Sequence, residues 1–313
     1  MKLGHRLNLF DTIFILRPLI LIPVWNFLLI GNFLALQKNL FDGKVLFALL
    51  IYTAIMGGVY ILNQITDIQT DRLNKKLFII SEGLISPKFA KIEMFILWIL
   101  ALSLSIKLGF VFFIFMIISL ILGVAYSLPP IKLKGRPVLD SLVNGVGYGM
   151  INFAVGWVLH QPADFFMFLR FLPYFLSICA VFINTTIADI EGDRKAGETT
   201  TGVFFGSEYS SIISTIILIG AIGTAIYFKD YIPLIPSVIS LPIFIYVVYS
   251  LFHKKKFSRR ILILSFRLPG FIFTIITGYL YPGYFIFLIL LFIAMRIYYK
   301  YRFGMTYPTL SGG

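Results

Sequence analysis

The sequence predicts an all-α, polytopic membrane protein, a transmembrane helical bundle of nine or ten helices. Two observations carry this prediction. Hydrophobic residues make up 59% of the 313 residues and charged residues only 13%, a composition unlike that of a soluble domain. Apolar runs of about 20 residues, the length that crosses a hydrocarbon core, recur along the whole chain. A transmembrane β-barrel would show short segments of alternating polarity instead.

Each predicted span corresponds to one apolar run. The predicted membrane segments are 12–36, 45–66, 91–107, 109–127, 138–160, 167–188, 209–228, 231–252, 261–280 and 283–300. Arg267, Pro269 and Gly270 interrupt the ninth run, which leaves both nine and ten spans open. Arg17 and Arg267 lie within spans, where a charge is costly. We expect each of them to face a cavity or to reach an interface, and Arg17 could contact an acceptor substrate.

The basic residues predict the orientation of the chain. With ten spans, 20 of the 27 Lys and Arg residues fall on the side of the N-terminus and five on the opposite side. Cytoplasmic loops carry such an excess of positive charge. The prediction is therefore a multi-pass protein of the cytoplasmic membrane with its N-terminus inside. Topology also accounts for most of the net charge of +13, so we expect the lipid bilayer and no nucleic acid as a partner.

Two acidic motifs stand out in a chain with only 14 acidic residues. In NQITDIQTDR, Asn63, Asp67 and Asp71 are spaced four apart, and in TTIADIEGDR, Asp189 and Asp193 repeat that spacing. Residues four apart share one face of a helix. Carboxylates so close together repel and need a compensating cation. Both motifs fall on the predicted cytoplasmic side, which lets them face each other across one cavity.

The two motifs also indicate an internal repeat. DIQTDR (67–72) and DIEGDR (189–194) are identical at four of six positions, and each follows the second span of a set of four. We therefore expect a single transmembrane domain over 1–313 that contains two duplicated four-helix units, 1–127 and 138–252, plus C-terminal helices. A chance repeat is the alternative.

The residue types indicate metal-dependent chemistry on a phosphorylated substrate. Asp and Asn oxygens suit Mg²⁺, which usually shares its coordination shell with substrate phosphates. Two such clusters could hold Mg²⁺ against opposite faces of a diphosphate. The neighbouring cations, Arg72, Lys132, Arg194 and Lys195, could neutralise the charge of a diphosphate leaving group. Each of them could equally reflect the positive-inside bias alone.

These residues resemble the motifs of the UbiA superfamily of intramembrane prenyltransferases. NQITDIQTDR is similar to its N-x-x-x-D-x-x-x-D motif, DIEGDRKAG to its second D-x-x-x-D motif, and YSLPPIKLK to the Tyr-and-Lys loop between them. The resemblance implies a bundle of about nine helices around a central, laterally open cavity. It also implies Mg²⁺-dependent transfer of a prenyl group from a polyprenyl diphosphate to a lipophilic or aromatic acceptor, with release of diphosphate.

The resemblance assigns roles residue by residue. It implies that Asp67, Asp71, Asp189 and Asp193 are catalytic and that these four residues bind metal together with Asn63. The expected substrate-binding residues are Asn63, Arg72, Tyr126, Lys132, Thr185, Arg194 and Lys195. Thr185 stands where the second motif often has Asn, with Asn184 one position earlier, so we expect a retained metal site with a modified edge.

Two other functions stay open from the sequence. An ion-coupled transporter would place its acids near the middle of the membrane. A phosphotransferase acting on CDP-linked alcohols would carry its acids in one compact run. The separation of the two acidic motifs and their position at span ends favour the prenyltransferase interpretation. The acceptor, whether an aromatic acid, a quinone precursor, a tetrapyrrole or a glycerol phosphate lipid, is not indicated, and neither is the prenyl chain length.

Overall fold

A computed structural model of the protein describes residues 8–68, 79–81, 83–253, 259–304 and 306–307. Within these ranges the secondary structure is helical. The helices are α1 (Leu9–Phe14), α2 (Pro18–Leu36), α3 (Gly43–Thr66), α4 (Pro87–Ser105), α5 (Phe110–Ser127), α6 (139–157), α7 (Phe165–Arg170), α8 (Leu172–Lys195), α9 (Thr201–Tyr227), α10 (Tyr231–Phe252), α11 (Arg259–Leu280) and α12 (Pro282–Phe303).

The number of membrane-spanning segments agrees with the prediction of nine or ten. Nine helices of the described part are long and apolar enough to cross a membrane. A tenth segment, α6, is continuous over 139–157 but changes its winding, because Gly145–Ile151 forms a π-helical stretch between two α-helical pieces. π-Helical turns are rare and occur frequently at functional sites. The chain is thus an integral, multi-pass, all-α membrane protein.

The first predicted span, 12–36, is divided in the structure. The short helix α1 ends before Arg17, which adopts a left-handed conformation (φ 56°), and α2 then begins at Pro18. The residue before a proline is hindered from continuing a helix, which explains why the apolar pattern runs through this point while the helix does not. The break turns α1 away from α2 and leaves Arg17 at the corner.

The helices pack closely where glycines remove side chains. In α2, a Cβ on Gly31 would lie 2.0 Å from the carbonyl oxygen of Phe153 in α6. In the reverse direction, a Cβ on Gly156 would lie 1.8 Å from the carbonyl oxygen of Leu28. The two helices therefore touch along their backbones, a contact that small residues permit in membranes. This contact fixes α6 beside α2 and sets the wall of the interior.

The last helix, α12, is fastened to the N-terminal helix by a buried polar cluster. The fully buried carboxylate of Asp11 in α1 accepts a hydrogen bond from the Tyr298 hydroxyl (2.7 Å) and pairs with the Arg302 guanidinium (2.8 Å). The Tyr298 ring stacks on Phe14 with their centroids 3.9 Å apart. The two ends of the described chain thus pack against each other beside Arg17.

Candidate active site

The two acidic motifs meet at one cavity. A cavity of about 1030 Å³, called here the polar chamber, is lined by Asn63 and Asp67 from the end of α3 and by Asp189 and Asp193 from the last turns of α8. The starts of α9 and α11 and the segment before α6 complete its wall. The chamber therefore lies at one end of the bundle, where the C-termini of α3 and α8 come together.

The first motif lies at a helix end. The α-helix α3 ends at Thr66, and Asp67 caps it with its backbone N–H donating to the carbonyl oxygen of Asn63. The Asn63 side-chain amide also donates to the Asp67 carboxylate at 3.0 Å. Lys134, from the loop before α6, forms an ion pair with Asp67 inside the chamber. Asp71 and Arg72 lie outside the described residues.

The second motif is carried on a continuous helix. Thr185, Asp189 and Asp193 are four residues apart in α8, so they follow one face of the helix, and all three line the chamber. Asp193 accepts a hydrogen bond from the Thr200 hydroxyl at 2.8 Å. The Thr185 hydroxyl donates to the carbonyl oxygen of Phe182, which leaves the oxygen lone pairs available toward the chamber.

Asn184 has a structural role instead. It is buried, its amide donates to the Ser265 hydroxyl at 3.0 Å, and its carbonyl accepts from the Ser214 hydroxyl at 2.7 Å. These bonds tie α8 to α11 and α9. Thr185 therefore faces the chamber, whereas the neighbouring Asn184 links α8, α9 and α11.

The remaining predicted site residues divide into two groups. Tyr126 and Lys195 line the chamber. Lys132 and Arg194 are not among its lining residues. Lys132 forms an ion pair with Glu198 at 2.8 Å, and Arg194 is exposed on the last turn of α8. Their roles toward a diphosphate stay predictions.

The chamber also contains polar residues from α6 that the sequence motifs do not include. Asp140 and Asn144 line it from the fifth span, and they repeat the four-residue spacing of the two acidic motifs, which is the signal that could have identified them. The Asp140 carboxylate accepts hydrogen bonds from the Thr201 N–H and the Ser141 N–H, both at 2.6 Å. Asp140 therefore anchors the start of α9 to α6.

The donor set fits Mg²⁺. Asn63, Asp67, Asp189 and Asp193 present carboxylate and amide oxygens to one chamber. Within the described residues no three His, Cys, Asp or Glu side chains form a metal cage. Mg²⁺ does not require such a cage, because it is usually held by one or two carboxylates together with substrate phosphates and water. Each motif could supply one or two such carboxylates.

An apolar pocket of about 330 Å³ adjoins the polar chamber. It is lined by Met56 and Val59 of α3, Leu122 of α5 and aromatic side chains that include Tyr60 and Tyr148. The Tyr60 and Tyr148 hydroxyls are hydrogen-bonded at 2.8 Å. The π-helical stretch of α6 places Tyr148 in this wall. The pocket could hold a hydrocarbon chain whose polar end lies in the chamber.

A third space, called here the lateral cavity, lies between α2 and α11 with α8 behind it. Its volume is about 960 Å³, and Arg267 and Gly270 on its rim are exposed. Arg17 and Phe182 line all three spaces, so the three spaces meet there. Phe182 stacks on Tyr148 with their centroids 5.6 Å apart. The lateral cavity reaches the surface that faces lipid in a bilayer.

These features define a class: a polytopic helical membrane protein with an acidic chamber at one end of the bundle, connected to an apolar pocket and to the membrane. The model of the UbiA prenyltransferase family matches residues 24–267, and the chain belongs to that family. This match confirms the resemblance to the UbiA superfamily.

Named relatives differ in what they act on. The chain is similar to the 2-acyl-4-prenylphloroglucinol 6-prenyltransferase of Humulus lupulus, with 29% identity over 250 residues that cover 70% of this chain and 59% of the relative. It is also similar to the digeranylgeranylglyceryl phosphate synthase of Sulfolobus acidocaldarius, with 30% identity over 172 residues that cover 54% and 60%. The chain spans about three-fifths of the length of these relatives.

A solved structure supports the fold. A UbiA homologue from Archaeoglobus fulgidus, bound to GPP and Mg²⁺, superposes with a TM-score of 0.66 and 21% identity, covering 86% of this chain and 99% of that protein. At this identity the likeness concerns the fold. The fold of that homologue agrees with the helical bundle that the sequence predicts.

Proposed function

We propose that this protein is a Mg²⁺-dependent prenyltransferase that moves a prenyl group from a polyprenyl diphosphate to a lipophilic or aromatic acceptor and releases diphosphate. The observation that carries the proposal is the convergence of both acidic motifs on one chamber beside an apolar pocket. The GPP and Mg²⁺ bound to the Archaeoglobus homologue support a prenyl diphosphate donor and Mg²⁺ here.

In the proposed reaction, Asn63, Asp67, Asp189 and Asp193 would hold Mg²⁺ in the chamber, and the apolar pocket would hold the prenyl chain. Bound Mg²⁺ supplies positive charge that stabilises the leaving group. The allylic C–O bond breaks with its electron pair going to the diphosphate. An electron pair of the acceptor forms the new bond to the allylic carbon, and the proton that the acceptor loses passes to water in the chamber.

The protein's own side chains give the reaction its geometry. Lys134 and Lys195 provide positive charge in the chamber, where it can neutralise phosphate oxygens. Phe182 lines all three spaces, and Tyr148, stacked on it, lines the apolar pocket and the lateral cavity. Their ring faces can stabilise positive charge that develops on the allylic carbon. The apolar walls limit the access of water to that carbon.

The position of the acids disfavours the two alternatives. An ion-coupled transporter places its acids near the midplane, whereas both motifs here lie at one end of the bundle. The two motifs also come from helices far apart in sequence, which is unlike one compact acidic run. We further propose that the protein resides in the cytoplasmic membrane with the chamber facing the cytoplasm, because this end carries the excess of basic loops.

The test uses Asp67→Asn and Asp189→Asn in the full chain, with transfer from a radiolabelled prenyl diphosphate measured at saturating Mg²⁺. Turnover should fall at least about a hundredfold in each, because a metal supplies several kcal/mol of charge stabilisation and each ~1.4 kcal/mol is a tenfold rate change. Asp164→Asn is the matched control. Asp164 is exposed and caps α7, and Asn caps helices equally well, so its turnover should be unchanged. Intact turnover in both test variants would exclude the proposal.

A further inference from the structure

The apolar pocket beside the polar chamber has a defined far end. Three helices line it, and Asn63 of α3 lines both the pocket and the chamber, so it marks the mouth. The lining residues farthest from the chamber are Tyr52 on α3, Ser119 on α5 and Asn152 on α6. These three residues, called here the pocket floor, come from different helices and lie at one level of the bundle.

The bundle is solid beyond the pocket floor. One turn farther from the chamber, α3, α5 and α6 carry Ala48, Met116 and Val155, each 0% exposed. These three side chains belong to the main hydrophobic core and are not among the lining residues of the three spaces. A hydrocarbon chain that enters from the chamber therefore meets packed side chains at the floor.

The pocket floor is also polar, unlike the wall above it. The Tyr52 hydroxyl donates to the side-chain carbonyl of Asn152 at 2.5 Å and lies 3.3 Å from the Ser119 hydroxyl. Asn152 is 1% exposed, and its amide nitrogen has no hydrogen-bond partner in the part of the chain that the structure describes. A hydrocarbon end packed against that amide would leave a buried donor unpaired, which is unfavourable. Carbon placed at the floor therefore gains little.

The distance from mouth to floor gives a chain length. From Tyr52 to Asn63, α3 rises about 16 Å at 1.5 Å per residue. An extended isoprene unit spans roughly 5 Å, since it adds four carbon–carbon bonds of about 1.5 Å to the chain. The pocket is also the better site for hydrocarbon, because its single charged lining residue among those described is Arg17, whereas the lateral cavity has several.

We propose that Tyr52, Ser119 and Asn152 limit the prenyl donor to about three isoprene units, the length that fits between the chamber and the pocket floor. This inference rests on the proposed prenyl transfer and specifies the length of its donor. The diphosphate lies in the chamber, the hydrocarbon fills the pocket, and a fourth unit has no space beyond the floor. The three residues are specificity-determining and take no part in the chemistry.

The experiment measures Mg²⁺-dependent equilibrium binding of prenyl thiolodiphosphates to the purified full chain in neutral detergent. The probes carry two, three, four and five isoprene units, and sulfur in place of the bridging oxygen slows their cleavage. The free concentration of each probe is determined in detergent without protein. Affinity should rise at least about tenfold from two units to three, because the added unit buries apolar surface. It should change less than about threefold from three units to four.

Two variants move the floor in opposite directions. Tyr52→Ala removes a ring and should bind the four-unit probe at least about tenfold more tightly than the unmodified protein does, with the two-unit probe within about twofold. Ser119→Leu extends an apolar side chain into the pocket and should weaken the three-unit probe at least about tenfold, again with little effect on the two-unit probe. If Tyr52→Ala does not fold, Ser119→Leu decides the question.

Matched controls make the same changes at exposed positions. Tyr227→Ala on α9 and Ser103→Leu on α4 alter residues that line none of the three spaces, and each should bind all four probes as the unmodified protein does. A steady gain in affinity through four and five units in the unmodified protein would overturn the inference. So would Ser119→Leu affecting all probe lengths equally, the result expected if the chain runs into the lateral cavity instead.

The two-unit probe separates this inference from the proposed function. It is short enough to stay clear of the floor, so its Mg²⁺-dependent binding reports on the chamber alone. If it binds and the variants change no length preference, the floor is excluded while prenyl transfer stands. If none of the probes binds to the unmodified protein, the prenyltransferase proposal itself fails.

Discussion

Lys134 and Lys132 lie two residues apart in one loop, but their ammonium groups have different surroundings. Lys134 is nearly buried in the polar chamber beside Asp67, while Lys132 is 39% exposed and pairs with Glu198. A diphosphate bound beside Asp67 would therefore lie close to the Lys134 ammonium group. The side chains are otherwise alike, which makes the two positions a matched pair.

We predict that Lys134→Gln raises the KM for the prenyl diphosphate about tenfold, because one charge-assisted contact to a phosphate contributes about 1.5 kcal/mol or more. Lys132→Gln should raise it less than about threefold, since the Lys132 ammonium pairs with Glu198 and does not line the chamber. Steady-state transfer assays at varied donor concentration provide the measurement. The reverse order would restore the role that the family resemblance assigns to Lys132.

At the scale of single residues, the spacing of the sequence motifs predicts which side chains share one chamber. Asn63, Asp67, Thr185, Asp189 and Asp193 line one chamber, as their four-residue spacing and family motifs lead one to expect. Which lysine of KLK points inward depends on the backbone of the loop. Lys132 has a left-handed conformation (φ 36°), and residue types alone do not predict that turn.

At the scale of helices, glycines decide how closely α2 and α6 approach. Gly156→Ala would place a Cβ 1.8 Å from the Leu28 carbonyl oxygen, so the backbone of one helix has to shift. We predict a loss of about 1–3 kcal/mol in the free energy of unfolding, the usual cost of overpacking. Thermal unfolding in detergent should show a clearly lower Tm.

Gly223→Ala provides the control, because this helix-interior glycine of α9 has no atom within 4 Å of an added Cβ. Alanine is the better helix former by up to about 1 kcal/mol, so this variant should unfold at the same Tm or higher. Equal Tm values for Gly156→Ala and Gly223→Ala would contradict the close packing of α2 against α6.

Hydropathy predicts that each span exists. The features of the helices that it misses have local causes. The break at Arg17 depends on the proline that follows, and the π-helical stretch of α6 depends on how Gly145, Gly147 and Gly149 pack against neighbouring helices. Neither feature changes the apolar content that marks a span. The helix α8 also extends to Lys195, beyond the predicted end at 188, because its acidic last turns line the chamber instead of lipid.

At the scale of the molecule, the duplicated four-helix units stay a prediction. In each proposed unit the second span, α3 or α8, carries the acidic motif, and both motifs reach the same chamber. The sequence could not predict how the chain ends are joined, since Asp11 and Arg302 are separated by nearly the full length of the chain. Their pairing fastens α1, and with it the corner at Arg17, to α12.

The Asp11 cluster predicts that the two ends stabilise each other. Removing one partner of a buried ion pair leaves an uncompensated charge and costs about 3–5 kcal/mol. Arg302→Ala should therefore destabilise the protein by about this amount, because it leaves the fully buried Asp11 carboxylate without its cation. Asp11→Ala should do so to a smaller extent, since the Arg302 guanidinium that it leaves behind is partly exposed. The double variant should be less destabilised than the sum of the two single variants.

Thermal unfolding of the four proteins gives the coupling energy, and hydrogen exchange of peptides from Pro282–Phe303 locates it. Arg296→Ala with Asp11→Ala is the matched cycle, because Arg296 lies on the same helix without contacting Asp11. That cycle should be additive within about 0.5 kcal/mol. Additivity in the Asp11–Arg302 cycle as well would mean that α12 is held by its apolar contacts with α1 and α2 alone. Coupling in that cycle alone, with faster exchange in α12, would show that one buried ion pair joins the last helix to the corner where the three cavities meet.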